Sequence, residues 1–235
     1  YPINSEEDDL GLFVSLDGLT GYFASNKLRS SGGWDLYSFE LPELARPEKV
    51  ALISGSLAKE QGEEFRETAI ELKNLNTKEV TKINVDKQTG NFARVVQVKE
   101  NEDLIVTVKK KGAAFSSKYV SSSELKTNGV VKAPLEVAKL EVGEEYKLND
   151  IKFKSNSYEL SGMAKNVIDE FVLYLQENPK LKADIQGHTD NLGNTSDNKV
   201  LSTNRAKTVY NYVINQGVSA SRLQYHGYGE AKPIA

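Results

Sequence analysis

The spacing of apolar residues changes once along this chain, and the change requires more than one kind of domain. Between residues 49 and 120, apolar and polar positions alternate. Ile70 and Leu72 face one way while Glu71 and Lys73 face the other, and Val80 to Val85, Phe92 to Val98 and Leu104 to Val108 repeat the pattern. Asn74-Leu75-Asn76 and Gln88-Thr89-Gly90 interrupt it with turn residues. About seven short strands in this span predict an all-β sandwich. After residue 135 the period lengthens. Ala164, Val167, Ile168, Phe171 and Leu175 recur at helical spacing, and Asn178-Pro179 closes that helix. Ala183 to Gly187 reads as a strand, Leu201, Val209 and Val213 mark a second helix ended by Gly217, and Leu223 to Tyr228 reads as a third strand. With a short strand at Ile151 and Phe153, the order is β-α-β-α-β, a two-layer α/β domain over 135–235.

Two stretches flank these patterns. Residues 1–48 hold short aromatic runs (Leu12-Phe13-Val14, Tyr22-Phe23-Ala24, Trp34 to Phe39) separated by Asp17-Gly18 and Gly32-Gly33. They predict three or four strands with tight turns, too small a sheet to stand alone, with Trp34 in its core. Residues 121–134 show little periodicity and end in Pro134, which predicts a linker.

Composition removes several classes of function. The chain has no cysteine, so disulfides, thiolate metal sites and cysteine nucleophiles are excluded. Its only histidines are His188 and His226, too few for a histidine-rich metal site. Thirty basic against 33 acidic residues leave a net charge of −3, which argues against nucleic acid as a partner. No apolar run approaches the ~20 residues of a membrane-spanning helix. Glu6-Glu7-Asp8-Asp9 reads as a solvated charge run, and Lys109-Lys110-Lys111 as edge protection at a strand end. No metal or cofactor is expected.

One constellation remains. Asp190 lies just past the end of the second predicted strand, in Gly187-His188-Thr189-Asp190. Asn198 and Arg205 follow on the next helix, seven residues apart, and seven steps of about 100° return to nearly the same face. If that face looks toward the loop, a carboxylate, an amide and a guanidinium converge beside a helix N-terminus with free N–H donors. Such a pocket suits a zwitterion. Asp190 would receive an ammonium, and Arg205 would hold a carboxylate through parallel hydrogen bonds, as an α-amino-acid head group requires. A direct structural ion pair between Asp190 and Arg205 is the plainer alternative. His188 is expected to pack and bond the backbone, since no nucleophile or acid is arranged around it as a triad needs.

These residues carry a family resemblance. Gly187-His188-Thr189-Asp190, Gly193, Asn198, Leu201-Ser202, Arg205-Ala206, Gly217, Arg222-Leu223 and Gly227-Tyr228-Gly229 resemble the OmpA-like (OmpA C-terminal) domain over 135–235. The resemblance implies non-covalent, non-enzymatic binding of peptidoglycan through the diaminopimelate of its stem peptide. The periplasm of a Gram-negative bacterium, at the outer membrane, would be the place. The family's diaminopimelate-binding Asp and Arg match Asp190 and Arg205, and its pocket Asn matches Asn198; Thr189, Leu201 and Ser202 complete the implied binding set. The chain departs from the family at Lys154, where an acidic residue usually follows the first-strand Phe, which implies an altered pocket rim. The family also continues past the Pro-Ile-Ala at 233–235 into a last strand that is missing here.

Looser resemblances cover the rest. Gly21 to Asn26 with Gly33 to Tyr37 is similar to the last blade of a TolB-type β-propeller, incomplete in 1–48, and 49–120 resembles a carboxypeptidase-regulatory-like, transthyretin-type sandwich. This domain order resembles outer-membrane lipoproteins of Bacteroidota, including components of type IX secretion and gliding machinery. It implies envelope protein partners and, as the rival to wall binding, a protein-interaction scaffold.

Overall fold

The computed structural model describes residues 9–15, 17–26, 33–47, 49–59, 65–99 and 101–232. The acidic positions 6–8, Gly32 and the Pro-Ile-Ala end lie outside them. Strands β1 (Asp9–Val14), β2 (Thr20–Ser25) and β3 (Asp35–Glu40) form an antiparallel sheet in the order β1-β2-β3. Both faces of it are apolar. Pairing Phe23 with Tyr37 and Gly21 with Phe39 gathers three aromatic rings on one face, Phe23 stacked on Tyr37 with centroids 5.4 Å apart and Phe39 edge-on to Phe23. The other face exposes Leu10, Phe13, Tyr22 and Leu36 to solvent. Trp34, expected in the core, is 45% exposed just before β3.

A 3₁₀ turn at Glu43–Ala45 leads to the second unit. Its strands are β4 (Val50–Lys59), β5 (Ala69–Asn74), β6 (Val80–Ile83), β7 (Asn91–Gln97), β8 (Leu104–Lys109) and β9 (Ser117–Val120). Helix α1 (Ser122–Asn128) and strands β10 (Val130–Lys132) and β11 (Leu135–Val137) follow. One sheet runs β6-β5-β8-β9, all antiparallel. In the other, β4 pairs antiparallel with β7 on one side and parallel with β10 and β11 on the other. The inward faces share one core that includes Ile53, Leu57 and Phe92 from one sheet and Ile70, Leu72 and Val106 from the other.

The stretch expected to be a linker, 121–134, is therefore part of the sandwich. Ser121 caps α1 by accepting the Glu124 amide, Gly129 ends it, and Leu125, Val131 and Ala133 are buried in the sandwich core. A seven-residue helix with one buried leucine and two three-residue strands are too short to show a period. Leu135 and Val137, expected in the α/β domain, also lie in the sandwich core.

The last unit contains α2 (Gly162–Glu177), β12 (Ala183–His188), α3 (Thr195–Asn215), a 3₁₀ turn (Ala220–Arg222) and β13 (Leu223–Gly229). Ser161 caps α2 through the Ala164 amide. Strands β12 and β13 pair in parallel, with α3 as the crossover between them. The expected first strand at 151–153 is not a strand. Ile151 and Phe153 pack against the helical core, and the Lys154 carbonyl is taken by the Ser157 amide and by Arg205 instead of a ladder partner. The described order is thus α-β-α-β. No described helix is long and apolar enough to cross a membrane.

The sandwich and the α/β unit are fused along α2. Val167 and Met163 pack onto Leu75, Ile105 and Tyr119, and Phe115 enters the α/β core against Phe171 at 5.5 Å. Around that apolar seam, Lys109 reaches Glu177 at 3.0 Å, Tyr174 donates to the Ala113 carbonyl at 2.8 Å, and Asp150 accepts the Tyr119 amide at 2.9 Å.

Candidate functional site

The site begins where α3 lies on the sheet. A methyl at Gly187 would fall 2.2 Å from the Ser202 carbonyl oxygen, and one at Gly227 would fall 2.2 Å from the Thr203 nitrogen. Only glycine lets the helix backbone rest directly on β12 and β13. This close approach brings the first turns of α3 against the loop that leaves β12.

The loop is fastened from three sides. The Thr189 amide donates to the Gly229 carbonyl at 2.9 Å, joining the ends of the two strands. Asn194 caps α3 by accepting the Ser196 amide and hydroxyl. The Asn198 side-chain amide reaches the Leu192 carbonyl at 3.1 Å, the Asp190 carbonyl at 3.3 Å and Glu230 Oε2 at 2.8 Å. An amide nitrogen has two hydrogens, so these three acceptors share them.

Asp190 is exposed at the loop, and its Oδ1 accepts the Leu192 amide at 3.3 Å. Arg205 sits seven residues beyond Asn198, about 10 Å further along the helix axis. Its Nε donates to the Ser157 carbonyl at 3.0 Å and its Nη2 to the Lys154 carbonyl at 3.2 Å, with the guanidinium 5.2 Å from the centre of the Phe153 ring. Burial pulls the guanidinium below its ordinary pKa, and the Asp190 carboxylate opposes that pull. The two charges therefore feel each other, yet no ion pair within 4.0 Å joins them among the described residues. Two of the five N–H donors of Arg205 are used by backbone carbonyls. The other three have no hydrogen-bond partner among the described residues.

The other expected contact residues take supporting positions. Ser202 is fully buried; its hydroxyl donates to the Lys199 carbonyl at 2.9 Å and accepts the Gly229 amide at 2.8 Å. It ties α3 to β13 and has no face for a ligand. Asn198 is 6% exposed, and its amide is spent on the loop and Glu230. It shapes the loop from behind. Leu201 is half-buried, and the Thr189 hydroxyl is buried without a partner among the described residues. Lys154, the departure expected to alter the rim, contributes its carbonyl to Arg205, a group that every residue type carries.

The two histidines flank Tyr228. His188 stacks on that ring at 5.6 Å and bonds the Lys232 carbonyl through Nδ1 at 2.7 Å, while His226 pairs with Asp184 at 2.8 Å. On the Glu230 side of the loop, an open groove is lined by Gly193, Thr195, Lys199, Tyr228 and Glu230. Sequence reasoning missed Glu230. The available signal was a carboxylate directly after the Gly227-Tyr228-Gly229 strand end. The Ser157 and Lys154 carbonyls had no signal, because backbone acceptors do not show in residue types.

Residues 152–235 match the OmpA family. The chain is 38% identical over 87 residues to the probable lipoprotein YiaD of Escherichia coli K12, covering 37% of this chain and 40% of that protein. It is 32% identical over 89 residues to the peptidoglycan-associated lipoprotein of Haemophilus influenzae, covering 38% of this chain and 58% of the relative. The solved structure of the peptidoglycan-associated lipoprotein from Burkholderia pseudomallei is similar at 27% identity. That match covers 36% of this chain and 72% of the other, with a TM-score of 0.35. The chain spans well under two thirds of the length of these curated relatives.

Proposed function

We propose that the C-terminal α/β domain is a binding module, not an enzyme, that holds the diaminopimelate stem of peptidoglycan in the periplasm and tethers an outer-membrane-associated protein to the wall. The observation that carries this reading is the unpaired opposition of Asp190 and Arg205. A carboxylate and a guanidinium from two elements influence each other electrostatically, yet no ion pair joins them among the described residues. A ligand bearing an ammonium and a carboxylate on one carbon satisfies both at once. The OmpA family match and the relatives named as peptidoglycan-associated lipoproteins support the reading. Single-site affinity is modest, at about 1.5–3 kcal/mol per charge-assisted bond, so many copies of the stem on the polymer supply retention.

Sedimentation with sacculi tests the reading. The chain is expected to co-sediment with wall material whose stems carry diaminopimelate and to stay in solution with walls that carry lysine at that position. Lysine keeps the distal ammonium but lacks the carboxylate for Arg205. Equal sedimentation with both walls would overturn the zwitterion pocket.

A second reading, a scaffold for envelope proteins of a secretion or gliding machine, is favoured by the β1-β2-β3 sheet. Apolar side chains on both of its faces suit a layer stacked between two others, as in a propeller blade. In that arrangement the sandwich, read as a carboxypeptidase-regulatory-like, transthyretin-type module, is the spacer that carries the wall-binding domain.

A further inference from the structure

Glu230 belongs to none of the charged pairs that recognise a zwitterion, yet it sits at the junction of the three segments that shape the pocket. It leaves the end of β13. Its Oε1 accepts the Thr195 hydroxyl at 2.8 Å, at the first residue of α3, and its Oε2 accepts the Asn198 amide at 2.8 Å. That same amide nitrogen supports the carbonyls of Asp190 and Leu192. An ionised carboxylate only accepts hydrogen bonds, so it fixes which end of the Asn198 amide faces the loop. Without it, the amide loses its shortest bond and is held only by the two longer bonds to the loop carbonyls.

We propose that Glu230 is a positioning residue for ligand binding: it sets the Asn198 amide, and through that amide it holds the Asp190 loop in the conformation that opposes Arg205. This inference rests on the zwitterion reading of the site. Glu230 itself touches no ligand. Its bonds to Asn198, first, and Thr195 hold its carboxyl below the usual carboxylate range. The side chain lies at the surface, and replacing it leaves both hydrophobic cores intact.

The test compares the whole chain as wild type, Glu230→Ala, Glu230→Gln and Asp190→Ala. Each is measured for binding to diaminopimelate-type sacculi and for the NMR position of the Asn198 side-chain amide. Glu230→Ala is expected to weaken binding about tenfold, in line with one lost charge-assisted bond, and to move the Asn198 amide and the Leu192 backbone amide. Glu230→Gln retains an oxygen for Asn198 and a donor for Thr195, so it is expected to keep most of the binding. Wild-type binding by Glu230→Ala overturns the inference. Equal loss in the Ala and Gln variants also overturns it, because it assigns Glu230 a charge contact with the ligand. If Asp190→Ala binds like wild type, the zwitterion reading itself fails and the inference with it. Loss in Asp190→Ala with an unaffected Glu230→Ala removes only the inference.

Discussion

Lys73 Nζ and Glu170 Oε1 meet at 2.7 Å across the seam between the sandwich and α2, although 97 positions separate them in sequence. The glutamate side chain is 7% exposed and the lysine 21%. Removing one partner of a buried pair strands the other charge, which costs about 3–5 kcal/mol, less here because Lys73 keeps some solvent. Glu170→Ala is expected to lower the thermal stability of the α/β unit and to split unfolding into two calorimetric transitions. Lys73→Met combined with Glu170→Leu is expected to recover most of the loss, since matched apolar groups need no partner. A single, unshifted transition in Glu170→Ala would show that the pair does not couple the units.

Arg205→Lys is expected to abolish sacculus binding while leaving the fold intact. Lysine preserves the charge but cannot bond the Ser157 and Lys154 carbonyls and a ligand carboxylate together, which the planar fork allows. Asp190→Asn is expected to do the same from the loop after β12. Each variant removes a charge-assisted bond to the ligand, about 1.5–3 kcal/mol, enough to erase a weak site. Circular dichroism and pull-down on the same samples check both halves of the expectation.

Gly187→Ala and Gly227→Ala are each expected to destabilise the α/β unit and to lose binding together. The new methyl meets backbone atoms of α3 at 2.2 Å in both cases, and backbone cannot rotate aside. Overpacking of this kind costs about 1–3 kcal/mol or more, read as a lower urea midpoint. Displacing α3 also displaces Asn198 and Arg205, so binding is expected to fall further than stability does.

Acid is expected to weaken the fold through two surface carboxylates. Bonds from the Thr89 amide, the Thr89 hydroxyl and the Gln88 amide hold Asp86 below its ordinary value of 3.8, and bonds from Asn198 and Thr195 hold Glu230 below 4.5. Both folded values are depressed, so their contribution is complete above the ordinary values. It is lost as pH falls below them and through the folded ones. Melting temperatures measured between pH 6 and pH 2, on the order of the range spanned by unperturbed carboxylates, are expected to fall less steeply in Asp86→Asn with Glu230→Gln than in wild type.

The longest regular elements were legible in residue spacing. Val167, Ile168, Phe171 and Leu175 mark α2, Asn178-Pro179 its end, and the apolar positions of β12 and β13 their inward faces. The short pieces were not. Leu125 alone cannot declare α1, and three residues cannot declare β10 or β11, whose pairing with β4 is long-range and parallel. Ile151 and Phe153 carry strand-like alternation, but their segment turns at Lys154 to serve Arg205. At the site, residue types pointed to Asp190 and Arg205. Whether Asn198 and Ser202 touch a ligand or hold the scaffold depends on burial, which the helical period does not report.

The seam along α2 has a mechanical meaning. Because α2 packs directly on the β-sandwich, tension applied at Asp190 and Arg205 passes through α3 and α2 into the sheet of β5 and β8. A cell wall pulling on this domain would therefore move the sandwich with it as one lever. The direction in which the cleft faces would be dictated by whatever grips the sandwich.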